Sequence, residues 1–406
     1  MPARALLTNH HFKNFAGSEL LTLDLYQALI NRGYEVEIAT FLYADPLKEH
    51  CQKLGINVTN ILRDSLQSQE YELVWSHHFP VLVKVVLEDK IKFSKLVLSS
   101  LSPYEPLESI QIFDNLASTI VCNSYETKKK LETYLSEDST NKLHVFPNSV
   151  PSSWFRFFDS QKTLSKTIQK IAIVTNHPPQ ELLDFQKYAV SQNYTVEIIG
   201  AQHKFALVTP ELLSFYDVII SIGRTVQHCM AIGIPVYCYD HFGGPGWITP
   251  ENLKNAEFFN YSGRCCKTIR NHYEILDDLC NGYGAALRTV PYLQTYARDF
   301  YSFDKNFDWV CKEIGVENNL SESAVKSVEL PDEIRIKVGF LSQLYIRVLY
   351  ESNELVAQLS KSQLEFQQAN IELNNLKHLL QSIEKSKFWK VRKAWLRLKH
   401  MLGKHT

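Results

Sequence analysis

Nowhere in its 406 residues does the chain run eighteen uncharged apolar positions together, so no segment is expected to cross a bilayer as a helix. The opening stretch, MPARALLTNHHF, lacks the apolar core of a secretory signal, and entry into the secretory route is not expected. Eight cysteines occur without any CxxC pair or short secreted framework, even counting the adjacent Cys265 and Cys266. That spacing argues against a metal site and for a reduced, cytoplasmic setting. Acidic residues are missing from Lys385 to Thr406, where eight Lys/Arg stand; with a formal charge of −1 overall, the rest of the chain carries −9. The basic character is therefore confined to one end.

What the chain does have is apolar content, 45%, enough for substantial cores and against a disordered or fibrous reading. Short apolar runs alternate with helical patterns from residue 5 onward: ALLT, the helix after Gly17, VEIAT, ELVWS, KLVLSS, STIVCNS and LHVFPNSV. After the polar stretch DSQKTLSKTIQ the alternation restarts with KIAIVTN, TVEIIG, DVIISIG and PVYCYD. Repeated βαβ units of this kind predict an α/β protein of two Rossmann-like, doubly wound domains, over residues 1–160 and 161–316. The aromatic-rich segment from Thr268 to about Val316 is expected to be helical and to reach back across both domains.

Past Pro331 the pattern changes. Leu341, Tyr345, Val348, Leu355, Leu359, Phe366, Ala369, Leu373, Leu376, Leu380 and Ile383 hold a heptad register, broken only at Ser352 and Ser362. A coiled coil over 331–385 that makes a homo-oligomer is expected, the alternative being a helix folded back on its own chain. From residue 386 to 406, Phe388, Val391, Trp395, Leu398 and Leu402 share one stripe among cations. This suits a helix lying on an anionic membrane surface; a continued coiled coil, a calmodulin-type target and nucleic-acid binding are the other readings, the last unsupported by any zinc or aromatic-basic motif.

In open parallel sheets ligands bind beyond the carboxyl ends of strands. DVIISIG ends a strand at Ser221, turns at Gly223 and places Arg224 and Thr225 at a helix start, a setting for a diphosphate; a plain surface ion pair is the bland alternative for Arg224. The next strand runs into HFGGPGWITPEN, where Gly243, Gly244 and Gly246 would let a ligand approach the backbone. Thr249 and Pro250 suit a helix start there, with Glu251 and Asn252 in its first turn. In the first domain Gly17, with Ser18 as N-cap and Glu19 in the first turn, is expected to face the same cleft, and Asn176 at the end of KIAIVTN joins them from the second domain. His77 and His78 follow the strand ELVWS and are placed to take a proton from a sugar hydroxyl, unless they are structural. Asn123, Ser124 and Asn148 close two later strands, the first pair serving equally as a helix cap.

With those residues in hand, the chain resembles the retaining glycosyltransferases of the two-Rossmann GT-B fold, family 4 type, over roughly residues 5–315. FAGSELLTLDLYQALINRG is similar to that group's GGSE-type loop with Ala16 in place of a glycine, and GRTVQHCMAIGIPV to its GRT-x-x-E-A-M-A-x-G-x-P-V pattern. The resemblance implies nucleotide-sugar binding at these loops, retention of configuration and no metal or other cofactor, in keeping with the missing DxD. One departure stands out: His228 occupies the place of the motif's glutamate, and Ile220 stands eight residues earlier. Gln227, His228 and Glu251 are the expected substitutes. The resulting reading is a glycosyltransferase moving a sugar from a nucleotide-sugar donor to a lipid-linked surface-glycan acceptor at the cytoplasmic face of the membrane. A non-catalytic assembly protein and a nucleotide-sugar epimerase are the alternatives.

Overall fold

A computed structural model describes residues 2–110, 112–158, 165–200, 203–316, 332–385 and 387–402. The expected junction between residues 160 and 161 lies outside the described residues, as do Pro331 and the last residues of the basic end. The chain forms two compact units, Met1–Arg335 and Ile336–Thr406.

The first unit is built on two large sheets and a two-stranded one. Strands β1 (Arg4–Thr8), β2 (His11–Phe12), β3 (Glu35–Thr40), β4 (Leu42–Tyr43), β5 (Val58–Asn60), β6 (Glu70–His77), β7 (Lys92–Ser100), β8 (Thr119–Cys122) and β9 (Leu143–Val145) belong to the N-terminal lobe. Seven of them make a parallel sheet in the order β5-β3-β1-β6-β7-β8-β9, while β2 and β4 pair separately. The C-terminal lobe holds β10 (Lys170–Val174), β11 (Thr195–Ile199), β12 (Val218–Ser221), β13 (Val236–Asp240) and β14 (Gly243–Trp247), ordered β11-β10-β12-β13-β14. Both are doubly wound sheets of the expected α/β class, with helices covering both faces.

Central strands of such sheets are buried on both sides, so they read as continuous apolar runs rather than alternations. Leu6, Leu7, Val74, Trp75 and Val97 are fully buried in one lobe, and Ile171, Ile173, Ile219, Ile220 and Tyr237 in the other. The helix His272–Phe300 lays Ile275, Leu279 and Tyr283 on one core of the C-terminal lobe and Leu293, Tyr296 and Ala297 on another. The next helix, Phe303–Glu313, instead inserts Phe303, Phe307, Val310 and Cys311 into the N-terminal core against Trp75 and Phe146. The chain thus crosses between lobes twice, and the crossings touch: Val150 N–H donates to the Tyr301 carbonyl at 2.6 Å and Phe303 N–H to the Val150 carbonyl at 2.9 Å.

Each large sheet reverses its winding beside its first strand, at β1/β6 in one lobe and β10/β12 in the other. The strand ends are tied at both points: Thr8 Oγ1 donates to Ser76 Oγ at 2.9 Å, and Ser221 Oγ to the Val174 carbonyl at 2.7 Å. These reversals open the crevices in which ligands of such folds sit.

The second unit consists of the greater part of the helix Asp332–Lys385 and the helix Lys387–Leu402. On the expected heptad seam Val348, Leu355, Leu359, Phe366, Leu373, Leu376 and Leu380 are exposed; the burial of Leu341, Tyr345 and Ile383 lies outside the description. Among the described residues no helix is long and apolar enough to cross a membrane.

Candidate functional site

The two crevices face each other across one cleft of about 730 Å³. Ala16, Gly17, Ser18, Leu20 and Asp24 line it from the N-terminal lobe, at the start of the helix Gly17–Asn31. Opposite stand Thr175, Asn176 and His177 after β10, Gly200 after β11, and Arg224, Thr225 and His228 after β12. Asn148 and Trp154 close it beside the crossing, and Phe15 stacks on Phe205 at 5.6 Å across its mouth.

Arg224 is the first residue of the helix Arg224–Ile232, whose N-cap, Gly223, has φ 54° and no side chain to satisfy the first amides. Its guanidinium is 12% exposed and bonds through Nη2 to Asp24 of the other lobe, while Nε and Nη1 are buried without a partner. Burial pushes the Asp24 carboxyl up, against the pull of Arg224. His228, one turn further on, stacks on Trp154 at 4.0 Å and 19° between planes, with Nε2 unpartnered. Burial, aided by Arg224, holds its pKa well below the usual imidazole range, so the ring is neutral. The place of the motif's glutamate is thus filled by an uncharged hydrogen-bonding ring. Gln227 is buried but does not line the cleft.

Several expected residues sit elsewhere, for physical reasons. His77 is fully buried, its ring makes no hydrogen bond, and burial lowers its pKa to about 3. It does not line the cleft and is no base for a sugar hydroxyl. His78, at φ 65°, is spent internally: its Nδ1 accepts from His10 N–H at 3.1 Å, which leaves the ring proton on Nε2, 3.3 Å from Glu108 Oε1. Glu108, which no local pattern in the sequence marks, reaches the cleft in its stead, its second oxygen accepting from Leu101 N–H at 2.9 Å. Ser18 is not the helix cap, a position held by Ala16 without a side-chain bond; its hydroxyl donates to Glu19 at 2.8 Å. Glu19 is buried behind the cleft wall, which raises its carboxyl pKa.

The glycine-rich stretch is the largest correction. Gly243–Trp247 is a strand, β14, antiparallel to β13 at the sheet edge, and none of its residues lines the cleft. A Cβ on Gly243 would lie 2.1 Å from the Thr268 carbonyl oxygen, one on Gly244 2.0 Å from that of Cys238, and Gly246 has φ 77°. Neighbouring backbone, not a ligand, dispenses with side chains here, and a Gly244→Val change would strike the fold itself. The helix beyond begins at Leu253, with Asn252 rather than Thr249 at its cap position. Asn252 clasps its own loop, accepting from Thr249 N–H and donating to the Trp247 carbonyl, while Glu251 faces solvent. Neither reaches the cleft. Asn123, by contrast, lines it, and Ser124 caps the helix Tyr125–Leu131 by accepting from Thr127 N–H.

Among the described residues no cluster of three or more His, Cys, Asp or Glu is placed to hold a metal ion. The eight cysteines are unpaired.

No family model matches the sequence, and no curated protein does. Solved structures match along most of the chain at low identity. An alpha-glucosyltransferase in complex with UDP and a 13-mer DNA containing a HMU base is 10% identical, covering 78% of this chain and 100% of that one, with a TM-score of 0.48. The glycotransferase of kitacinnamycin is 11% identical over 77% of this chain and 100% of its own, with a TM-score of 0.44. The UDP-GlcNAc 2-epimerase from Neisseria meningitidis bound to UDP-GlcNAc is 11% identical over 77% and 100%, with a TM-score of 0.43.

Proposed function

We propose that the chain is a nucleotide-sugar-dependent glycosyltransferase whose donor diphosphate lies against Arg224 and Thr225. One observation carries this: a buried guanidinium with Nε and Nη1 unpartnered, at an uncapped helix N-terminus on the wall of a 730 Å³ cleft. Buried charged donors without acceptors are costly, and a diphosphate supplies acceptor oxygens and charge of the right sign. Asn176, Gly17 and Ser18 then border the donor, and the neutral His228 offers it a hydrogen bond where the resembling family has a carboxylate.

The cleft carboxylates are both engaged, Asp24 with Arg224 and Glu108 with His78 and the Leu101 amide. Neither is free as a nucleophile, which favours direct front-face transfer with retention of configuration. In that step the departing diphosphate is stabilised by Arg224 and the helix amides. The same reading makes the heptad helix a homo-oligomer contact and sets the basic helix on the cytoplasmic membrane surface, where a lipid-linked glycan acceptor would be confined. Tethering there raises the effective concentration of such an acceptor.

The test is calorimetry of the full chain against UDP-, GDP-, ADP- and dTDP-sugars. Saturable binding to one donor, weakened roughly 10- to 150-fold in Arg224→Ala, is expected from the loss of a charge-assisted contact. Absence of binding to every donor would favour the non-catalytic assembly protein instead, and turnover of a bound donor without acceptor to an epimerised product would favour the epimerase.

A further inference from the structure

Beside the main cleft lies a second cavity of about 200 Å³, which shares Leu101, Asn123, Ile222 and Asn260 with it. Typical small-molecule sites are roughly 300–1,000 Å³, so this is room for part of a ligand, not a whole cofactor. Ser102, Tyr104, Ser124, Thr127 and Ser262 bring hydroxyl groups to its wall, and Asn123 an amide; Ser124, Thr127 and Asn123 bond one another and Ser262 donates to Asp240, so these groups meet a ligand chiefly through their remaining acceptor sites, and Ser102 also as a donor.

Its charges are cancelled in place. Arg264 bonds Glu126 in a fork, Nη2 to Oε2 at 2.6 Å and Nε to Oε1 at 3.0 Å, and the Tyr104 hydroxyl donates to the same carboxylate at 3.1 Å. An anion would find Arg264 held by both Nε and Nη2 on Glu126, whereas Arg224 in the main cleft, paired to Asp24 through Nη2, keeps Nε and Nη1 without partners. Tyr104, 66% exposed, is the aromatic ring on its wall, and Phe242, 46% exposed and outside the lining, flanks the same Arg264 guanidinium. Hydroxyls and amides without net charge, bordered by an exposed ring, match a neutral saccharide, whose hydroxyls both donate and accept and whose C–H faces lie on aromatic surfaces.

We propose that this side cavity is the acceptor subsite and takes one neutral sugar ring, an inference that rests on the main cleft being the donor site. The placement suits transfer. Leu101 borders both cavities and its amide holds Glu108, so an acceptor hydroxyl entering along this wall meets the Glu108 carboxylate beside the donor. There the acceptor oxygen bonds the anomeric carbon as the bond to the diphosphate oxygen breaks. The bonding pair leaves with the nucleoside diphosphate, and the hydroxyl proton passes to its departing oxygen.

The experiment is saturation-transfer NMR on the full chain with millimolar methyl glycosides of glucose, galactose, mannose and N-acetylglucosamine, run beside nucleotide-sugar calorimetry. Ring-proton signals from at least one glycoside are expected, weakened roughly tenfold in Tyr104→Ala and abolished when Ser102→Trp fills the cavity, with nucleotide-sugar affinity unchanged in both. Tyr104 is exposed, so its variant tests the site even if Ser102→Trp fails to fold. No signal from the unaltered chain, or a signal that both variants leave intact, overturns the proposal. A chain that binds nucleotide-sugar through Arg224 yet no glycoside refutes the acceptor subsite alone; a chain that binds neither refutes the transferase reading with it.

Discussion

Glu108 meets the cleft with one oxygen 2.9 Å from the Leu101 amide and the other 3.3 Å from His78 Nε2, so its orientation is fixed from two sides. A carboxylate held this way is suited to orient an acceptor hydroxyl by accepting its hydrogen bond. Glu108→Gln keeps the shape but replaces one acceptor oxygen by a donor, and transfer is expected to slow roughly 100-fold with donor affinity unchanged. The kcat of transfer, set beside calorimetric donor affinity, measures this; a rate that does not move would remove Glu108 from the reaction. Legibility in the sequence divides along the same line. Arg224 is legible because its setting is local, a strand, a glycine and a helix start within a few residues. Glu108 lies eight residues past β7, and only the fold brings it to His78 after β6. The glycines of HFGGPGW do report a close approach, but local sequence does not say that the approaching groups are the carbonyls of Cys238 and Thr268.

The helix Lys387–Leu402 presents Val391, Trp395 and Leu398 at 68%, 60% and 62% exposure, spaced by four and three residues along one stripe. Cations surround that stripe, Lys399 reaching over the Trp395 ring at 5.4 Å. A face so apolar and so basic is matched by the boundary of an anionic bilayer, to which each nearby Lys or Arg contributes about 1 kcal/mol. The full chain is therefore expected to co-sediment with vesicles containing phosphatidylglycerol, less so with rising salt, and poorly with phosphatidylcholine alone. The double change Val391→Ser with Trp395→Ser should release it; equal sedimentation of the variant would refute the membrane role. At this scale periodicity is what a sequence displays best. The stripe and the heptad seam are read directly from spacing, whereas what covers either is a property of another surface. Helix starts are less legible: Ala16 and Asn252 hold cap positions that hydroxyl-bearing neighbours were expected to hold, because a cap is set by the chain's approach direction as well as by residue type.

Across the whole first unit, the βαβ alternation was enough to indicate two doubly wound sheets, since parallel strands buried on both faces announce themselves as apolar runs. How the lobes meet was legible only in the aromatic segment that returns to the N-terminal core through Phe303 and Phe307; the rest depends on single pairs far apart in sequence: Arg224 with Asp24, Asn148 with Asn260 at 2.8 Å, and Arg264 with Glu126. The same assembly buries imidazoles from both lobes, and this gives the fold a predictable weakness in acid. Burial, largest among the causes, lowers the pKa of His10 to about 2, of His77 to about 3 and of His11 to about 4, and takes His228 well below the ordinary imidazole value. In the unfolded chain these rings protonate near pH 6.5, whereas in the folded chain they stay neutral. The unfolded state then binds more protons, so stability is full above pH 6.5 and is lost as pH falls from there toward the folded values. Each such ring contributes a slope of about 1.4 kcal/mol per pH unit within that window, and the four together about 5 kcal/mol per unit. Glu19 and Asp24, whose carboxyls are raised by burial, act with the opposite sign at the lower end of the window. Urea unfolding followed from pH 7.5 to 5 should show the midpoint falling as the solution is acidified. His77→Gln removes one titrating ring and leaves both carboxyls in place, so its slope should be shallower by about a quarter of the histidine effect. An unaltered slope would mean that His77 takes up a proton in the folded state, which its buried ring, without a hydrogen-bond partner, is not built to do.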